Sequence, residues 1–67
     1  MGKIHNLYTT VCCDIISETD LAFLIKHKHQ KIWVPKSQLE EMPDRSDGTI
    51  GIDLRVSMWI AEREGLI

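Results

Sequence analysis

The segment "LAFLIKHKHQKIWVP", residues 21–35, decides the fold of this chain. Its first half alternates as a strand does, and one face would carry Leu21, Phe23 and Ile25. "KIWVP" (residues 31–35) has the composition of a second strand, and the polar residues 27–30 suit the turn between the two. The segment therefore predicts a β-hairpin. Its second strand should end at Pro35 or lie at a sheet edge, because proline has no N–H group to donate.

A helix is the competing interpretation of the first half of this segment. Residues 21–28 contain good helix formers, and Leu21, Leu24 and Ile25 also fit a helical stripe. The strand interpretation is preferred, and the helix remains its main alternative.

Two further segments have the alternation of strands. "LYTTVCCDII" (residues 7–16) is rich in β-branched residues, and one face would carry Leu7, Val11, Cys13 and Ile15. "TIGIDLRV" (residues 49–56) has the cleanest alternation in the chain. Its inward face would carry Ile50, Ile52, Leu54 and Val56.

Two helical segments complete the pattern. "SQLE" (residues 37–40) has the form of a capping box and predicts one helical turn over residues 38–42, stopped by Pro43. Ser57 is a good N-cap for a C-terminal helix, "MWIAERE", which Gly65 would end. The expected fold is therefore α+β: a small curved antiparallel sheet of about four strands, with a short helical turn after the third strand and a C-terminal helix.

The length of 67 residues allows one domain, residues 1–67, of marginal stability. Cys12 and Cys13 are adjacent, which disfavours a structural disulfide, so oligomerisation is the expected source of further burial and a homodimer is slightly favoured. The N-terminus lacks the apolar region of a signal peptide, and no apolar run approaches the roughly 18 residues of a membrane span. We therefore expect a cytoplasmic protein with no membrane partner.

Metal and catalytic chemistry find little support. His27 and His29 could reach one ion from the same face of a strand, but a zinc site needs three or four ligands. The sequence has no Gly-x-Ser-x-Gly elbow and no glycine-rich phosphate loop, and its paired carboxylates lie in loops or on polar helix faces. We expect no metal, no cofactor and no catalytic residue, so the chain is not predicted to be an enzyme.

Charge is unevenly placed in this chain, whose formal net charge is −2. A basic set surrounds the predicted turn and second hairpin strand: Lys26, Lys28, Lys31, Trp33 and Lys36. Small curved sheets bind single strands through exposed aromatic residues and cationic grooves, which makes this set a candidate nucleic-acid site. We expect Trp33 to lie in the core, however, with the lysine stems extending over it. The lack of a basic excess also lowers the case for nucleic acid.

"KIWVPKSQL" (residues 31–39) and "MWIAEREGLI" (residues 58–67) together resemble a type of small protein encoded by phages and prophages. In that type a "WVPKS" strand exit precedes a tail of the form "W-[IL]-A-E-x-x-G-L-I". The resemblance covers residues 21–67 and supplies no catalytic residue. It implies a host-takeover or anti-defence factor, such as an anti-CRISPR inhibitor, or a protein that accompanies DNA replication or recombination. In either case the expected location is the cytoplasm of the host cell.

The leading hypothesis is a non-catalytic phage-type protein that inhibits a host defence complex, such as a CRISPR effector, by direct protein binding. A mainly acidic set would contact the partner, and its four carboxylates would mimic phosphates: Glu40, Glu41, Asp44, Arg45 and Asp47. The alternative is a nucleic-acid-binding accessory protein of phage replication or recombination that uses the basic set. A further alternative is a sponge that binds a nucleotide signal at an oligomer interface.

Overall fold

Four antiparallel strands and one short helix form the computed structural model, which describes residues 7–43 and 49–67. The strands are β1 (Tyr8–Glu18), β2 (Ala22–His27), β3 (Gln30–Pro35) and β4 (Ile52–Ser57). A 3₁₀ helix, Lys36–Gln38, follows β3, and α1 spans Met58–Arg63. The order in the sheet is β3-β2-β1-β4. The predicted antiparallel sheet, with a helical turn after its third strand and a C-terminal helix, is confirmed in this form.

The hairpin predicted from residues 21–35 is also confirmed. β2 and β3 pair across a two-residue loop, with His27 opposite Gln30. Leu21 was expected on the inner face of β2, but it precedes the strand and is 80% exposed. The Thr19 hydroxyl accepts the backbone N–H of Leu21 at 3.3 Å, which holds this residue in the turn before β2.

The strand β1 connects the two halves of the sheet. Its first half, residues 8–13, pairs with β4, and its second half, residues 14–18, pairs with β2. The pairing with β2 shifts between Ile15 and Ser17, so that Ile16 is an additional residue on β1. A bulge of this kind bends a strand and increases its twist, which allows β1 to contribute to both halves.

The segment after β3 shows how strongly the sheet is curled. β3 and β4 are the two edges of the sheet, yet Leu39 pairs with Val56, and the Glu40 N–H donates to the Arg55 carbonyl oxygen at 3.1 Å. In a flat sheet Leu39 would lie four strand spacings from β3, roughly 19 Å away. The four residues from Pro35 to Leu39 reach at most about 14 Å. The sheet must therefore curl around its inner face. It does not close, because no described residue pairs with the outer edge of β3.

This bridge to β4 replaces the helical turn predicted over residues 38–42. The 3₁₀ helix begins earlier, at Lys36, and no side chain caps it, so the predicted capping box of residues 37–40 is wrong. Pairing with β4 requires an extended backbone, and Leu39 accordingly has φ −97° and ψ 140°. The pairing energy and the burial of the Leu39 side chain outweigh the local helical preference of the sequence.

The core lies between the inner face of the sheet, Leu39 and α1. Its buried side chains are Val11, Cys13, Ile15, Phe23, Ile25, Ile32, Val34, Leu39, Leu54, Val56, Ile60, Ala61 and Leu66. The alternation therefore predicted most inner positions of β1 and β4 correctly. Leu7 and Ile50 are exceptions, at 57% and 82% exposed. Ile50 lies before β4, and Gly51, with φ 66°, interrupts the alternation between them.

The two predicted caps of the C-terminal helix are confirmed. The Ser57 hydroxyl accepts the Ile60 N–H at 3.2 Å. At the other end Gly65 has φ 72°, and the Leu66 N–H donates to the Ala61 carbonyl oxygen at 2.8 Å. This 6→1 bond closes a Schellman motif, and burial of Leu66 secures the helix end against the core.

Candidate binding surface

Trp33 lies on the outer face of the sheet, opposite the core, and is 49% exposed. The prediction that it lies in the core was wrong. Ile32 and Val34 are the buried residues of β3, and successive strand side chains point to opposite faces, so Trp33 must point outward. Lys31 and Pro35 share its face, as strand alternation requires, and both are exposed.

Trp33 has an apolar neighbour on β2. It pairs directly with Leu24, whose side chain is half-buried and belongs to the same outer face. Leu24 was not among the predicted site residues. The signal was present, since a two-residue loop fixes the register of a hairpin and so places residue 24 opposite residue 33.

Two lysines face each other beside this pair. Lys26 of β2 and Lys31 of β3 are directly opposite and exposed. Like charges in this arrangement repel, because directly opposed side chains have Cβ atoms only about 5 Å apart. On its other side Lys26 is opposite Asp14 of β1, whose Oδ1 accepts the Gly51 N–H at 2.8 Å and whose negative charge offsets part of this repulsion. Within residues 7–43 and 49–67, neither lysine has an ion-pair partner within 4.0 Å.

We call this patch the Trp33 surface. It consists of Leu24, Lys26, Lys31, Trp33 and Pro35. It combines a half-exposed aromatic ring, apolar neighbours and two cations without an ion pair among the described residues, on one face of two adjacent strands. Such a combination can bind a ligand that offers both a flat apolar group and negative charge.

The other two lysines of the predicted basic set lie elsewhere. Lys28 is in the hairpin loop with φ 57°. The Lys36 Nζ atom lies 2.6 Å from Glu18 Oε2. It also lies 5.0 Å from the ring centroid of Phe23, which belongs to the core. Lys36 therefore braces the sheet, and the structure assembles only part of the predicted nucleic-acid site.

The predicted acidic set is only partly described. Asp44, Arg45 and Asp47 lie outside the described residues. Glu41 is exposed, whereas Glu40 accepts a hydrogen bond from Arg55 Nε at 2.9 Å. The Glu40 carboxylate thus has a structural role at the edge of β4, although it is exposed, and Glu41 is the member of the pair with no ion-pair partner among the described residues.

Arg55 has a structural role that was not predicted from the sequence. Its Nη1 donates to the Thr10 hydroxyl at 3.2 Å, its Nε binds Glu40, and its carbonyl oxygen accepts the Glu40 N–H. These three interactions fasten the segment after the 3₁₀ helix to β4 and β1. These interactions could not be predicted from the sequence, because they depend on the curl of the sheet.

The described contact between His27 and the cysteines is to a backbone carbonyl oxygen, and it does not activate a thiol as a nucleophile. The pKa of the Cys13 thiol is raised to about 11, mainly by burial and to a smaller extent by the nearby Cys12, Asp14 and Asp53. This thiol is therefore protonated at neutral pH. His27 Nδ1 lies 2.9 Å from the Cys12 carbonyl oxygen, so Nδ1 carries the proton in this contact. Within the described part of the chain, no three His, Cys, Asp or Glu side chains come together to hold a metal ion.

None of the described helices is long and apolar enough to cross a membrane. Comparison of the chain with protein-family models, curated proteins and solved structures found no significant match.

Proposed function

We propose that this protein is a non-catalytic binding protein that binds single-stranded nucleic acid through the Trp33 surface. The observation that carries the proposal is the exposure of Trp33 on the same face as the opposed Lys26 and Lys31. A base would stack on the indole ring, and phosphates would lie against the two ammonium groups.

The electrostatics of the surface support this proposal. The Lys26–Lys31 repulsion costs folding free energy, and an anion placed between the two side chains relieves it. The net charge of −2 opposes long-range attraction of a polyanion, so we expect modest affinity that is measurable at low salt.

The two tryptophans provide a matched test. Trp59 of α1 is 50% exposed, like Trp33 at 49%, but it lies beside Arg63, with 5.0 Å between the guanidinium carbon and the ring centroid. We expect Trp33→Ala to weaken binding of a fluorescein-labelled oligodeoxythymidylate about 5- to 150-fold, as for loss of one base–aromatic stack. Trp59→Ala should bind as the wild type does. Anisotropy that is equal for all three proteins would refute the assignment.

The lysines are tested through salt dependence. For single strands the slope of log K against log salt concentration changes by about 0.7 for each phosphate contact. Lys26→Gln and Lys31→Gln should each reduce the slope by roughly this amount, whereas Lys36→Gln should leave it unchanged because Lys36 is paired with Glu18. An unchanged slope in the first two variants would remove them from the site.

A protein inhibitor of a host defence complex is the second candidate function. The observation that favours it is the exposed pair Glu41 and Met42, which leads into the acidic residues that follow. A partner would contact this segment by its negative charge, with a CRISPR effector as the type of complex that the phage-like sequence pattern suggests. In this case the Trp33 surface would not be required.

Charge reversal separates the two candidates. Glu41→Lys should abolish pull-down of a CRISPR effector complex while oligonucleotide binding stays unchanged. Glu40→Lys is a poor probe, because it also breaks the ion pair with Arg55. Effector capture that survives Glu41→Lys but is lost in Trp33→Ala would contradict the acidic-segment mechanism.

A further inference from the structure

The outer edge of β3 presents backbone groups that have no partner among residues 7–43 and 49–67. The Lys36 N–H donates to the Leu21 carbonyl oxygen at 2.7 Å, so these two residues form a hydrogen-bonded pair of the β2–β3 ladder. Hydrogen-bonded and non-hydrogen-bonded pairs alternate in an antiparallel ladder. Counting back in the observed register, the backbone groups directed away from β2 are those of Lys31, Trp33 and Pro35.

The opposite edge of the sheet is covered at Arg55 and Val56. By the same alternation, Arg55 directs its backbone away from β1, and its carbonyl oxygen already accepts the Glu40 N–H at 3.1 Å. The Arg55–Glu40 ion pair holds this cover in place. Covering an edge with another segment is a common way to prevent strand addition, and the described residues show no equivalent cover on β3.

We propose that β3 pairs antiparallel with β3 of a second copy of this chain, across a two-fold axis at Trp33. In this register each Trp33 N–H donates to the Trp33 carbonyl oxygen of the other copy. Each Lys31 N–H donates to the Pro35 carbonyl oxygen of the other copy. Pro35 fits here because it offers an acceptor and has no N–H that would need a partner.

The charges and the aromatic ring select this register. A two-fold axis at Lys31 would oppose the two Lys31 side chains, and an axis at Ile32 would leave them only two residues apart along the strands. The axis at Trp33 separates them by four residues, about 14 Å, and brings the two half-exposed indole rings together as a cross-strand aromatic pair.

The protected edge of β4 limits the assembly. Head-to-tail addition of β3 to β4 of the next copy would extend without end, and the Glu40 segment blocks it. Pairing of β3 with β3 is closed by its two-fold symmetry. The product is one continuous sheet with four strands from each copy, on which the two Trp33 surfaces adjoin. This inference holds whether or not that face binds nucleic acid.

Sedimentation equilibrium without nucleic acid tests the interface. A single-edge contact is at the small end of specific interfaces, so we expect a dissociation constant on the order of 10–100 μM. Lys31→Pro removes the outward N–H and leaves the pairing with β2 intact, whereas Lys31→Ala keeps that N–H. We expect Lys31→Pro to be a monomer and Lys31→Ala to dimerise, with circular dichroism confirming that both are folded. A wild-type monomer at about 1 mM would overturn the proposal.

Disulfide trapping tests the register without relying on the proline variant. In a Cys12→Ser background, Trp33→Cys should form an intermolecular disulfide on oxidation, because Cα atoms of a hydrogen-bonded pair lie about 5.5 Å apart. Lys31→Cys is the matched control and should not cross-link across about 14 Å. Preferential cross-linking of Lys31→Cys would refute the Trp33-centred register. Dimerisation that is unchanged in Lys26→Gln, a variant that lacks one proposed phosphate contact and lies away from the edge of β3, would show that the interface and the proposed function are separate.

Discussion

Reversal of one charge on the outer face should stabilise the fold and remove the proposed function together. Lys31→Glu turns the opposed Lys26–Lys31 pair into an opposite-charge pair. Cross-strand pairs of this kind contribute roughly 0.2–1 kcal/mol, and opposed like charges cost a similar amount, so the change should stabilise the protein by about 1 kcal/mol. For a domain of this size that corresponds to roughly 4–8 °C in Tm.

Urea unfolding at two salt concentrations measures this effect. At about 20 mM salt the gain should be complete, and at about 500 mM screening should remove most of it. Lys28→Glu is the matched control, because Lys28 lies in the loop and has no lysine opposite it, so no comparable gain should appear. If Lys31→Glu is no more stable than the wild type at low salt, the Lys26–Lys31 repulsion does not lower the free energy of unfolding. If it keeps oligonucleotide affinity, Lys31 is not in the site.

Three further predictions concern stability. Lys28→Gly should stabilise the protein by up to about 1 kcal/mol in urea unfolding, since φ 57° strains a residue with a Cβ; a loss would show that the loop is unstrained. Folding raises the pKa of Cys13 from 9.0 to about 11, so the unfolded chain loses this proton at a lower pH than the folded one. The free energy of unfolding should therefore be highest below pH 9 and fall by about 2–3 kcal/mol towards pH 11. Cys13→Ala should lack this decline. Ser57→Ala should cost about 1 kcal/mol through loss of the cap on the Ile60 N–H, and an unchanged melting curve would contradict this.

Local patterns in the sequence predicted the elements of the sheet well. Alternation of side chains identified the hairpin of residues 21–35, and the cap residues Ser57 and Gly65 marked both ends of α1. These features depend on neighbours in the chain. The exposure of Trp33 was also available from alternation, because Ile32 and Val34 occupy the inner positions of β3. The general tendency of tryptophan to be buried led to the wrong prediction.

Features that depend on distant parts of the chain were not predictable in the same way. The extended backbone at Leu39 results from pairing with Val56, and only the curl of the sheet brings these residues together. Glu40 had a local helix-capping partner in the sequence, but it binds Arg55 instead. Two of the predicted binding residues have a structural role instead: Lys36 and Glu40 each form an ion pair that braces the fold.

The distribution of paired and unpaired charges makes the Trp33 surface distinct from the rest of the sheet. The cations with a structural role are paired with carboxylates: Lys36 binds Glu18 and Arg55 binds Glu40. On the outer face of β2 and β3 the opposite is found, since two lysines are opposed without a described ion-pair partner beside a half-exposed tryptophan. Each of these features lowers stability or solubility by itself, and departures of this kind are expected where function rather than folding selects the residues. Their occurrence on one surface, next to the β3 edge that no described segment covers, is the strongest reason to look there for both the ligand and the second copy.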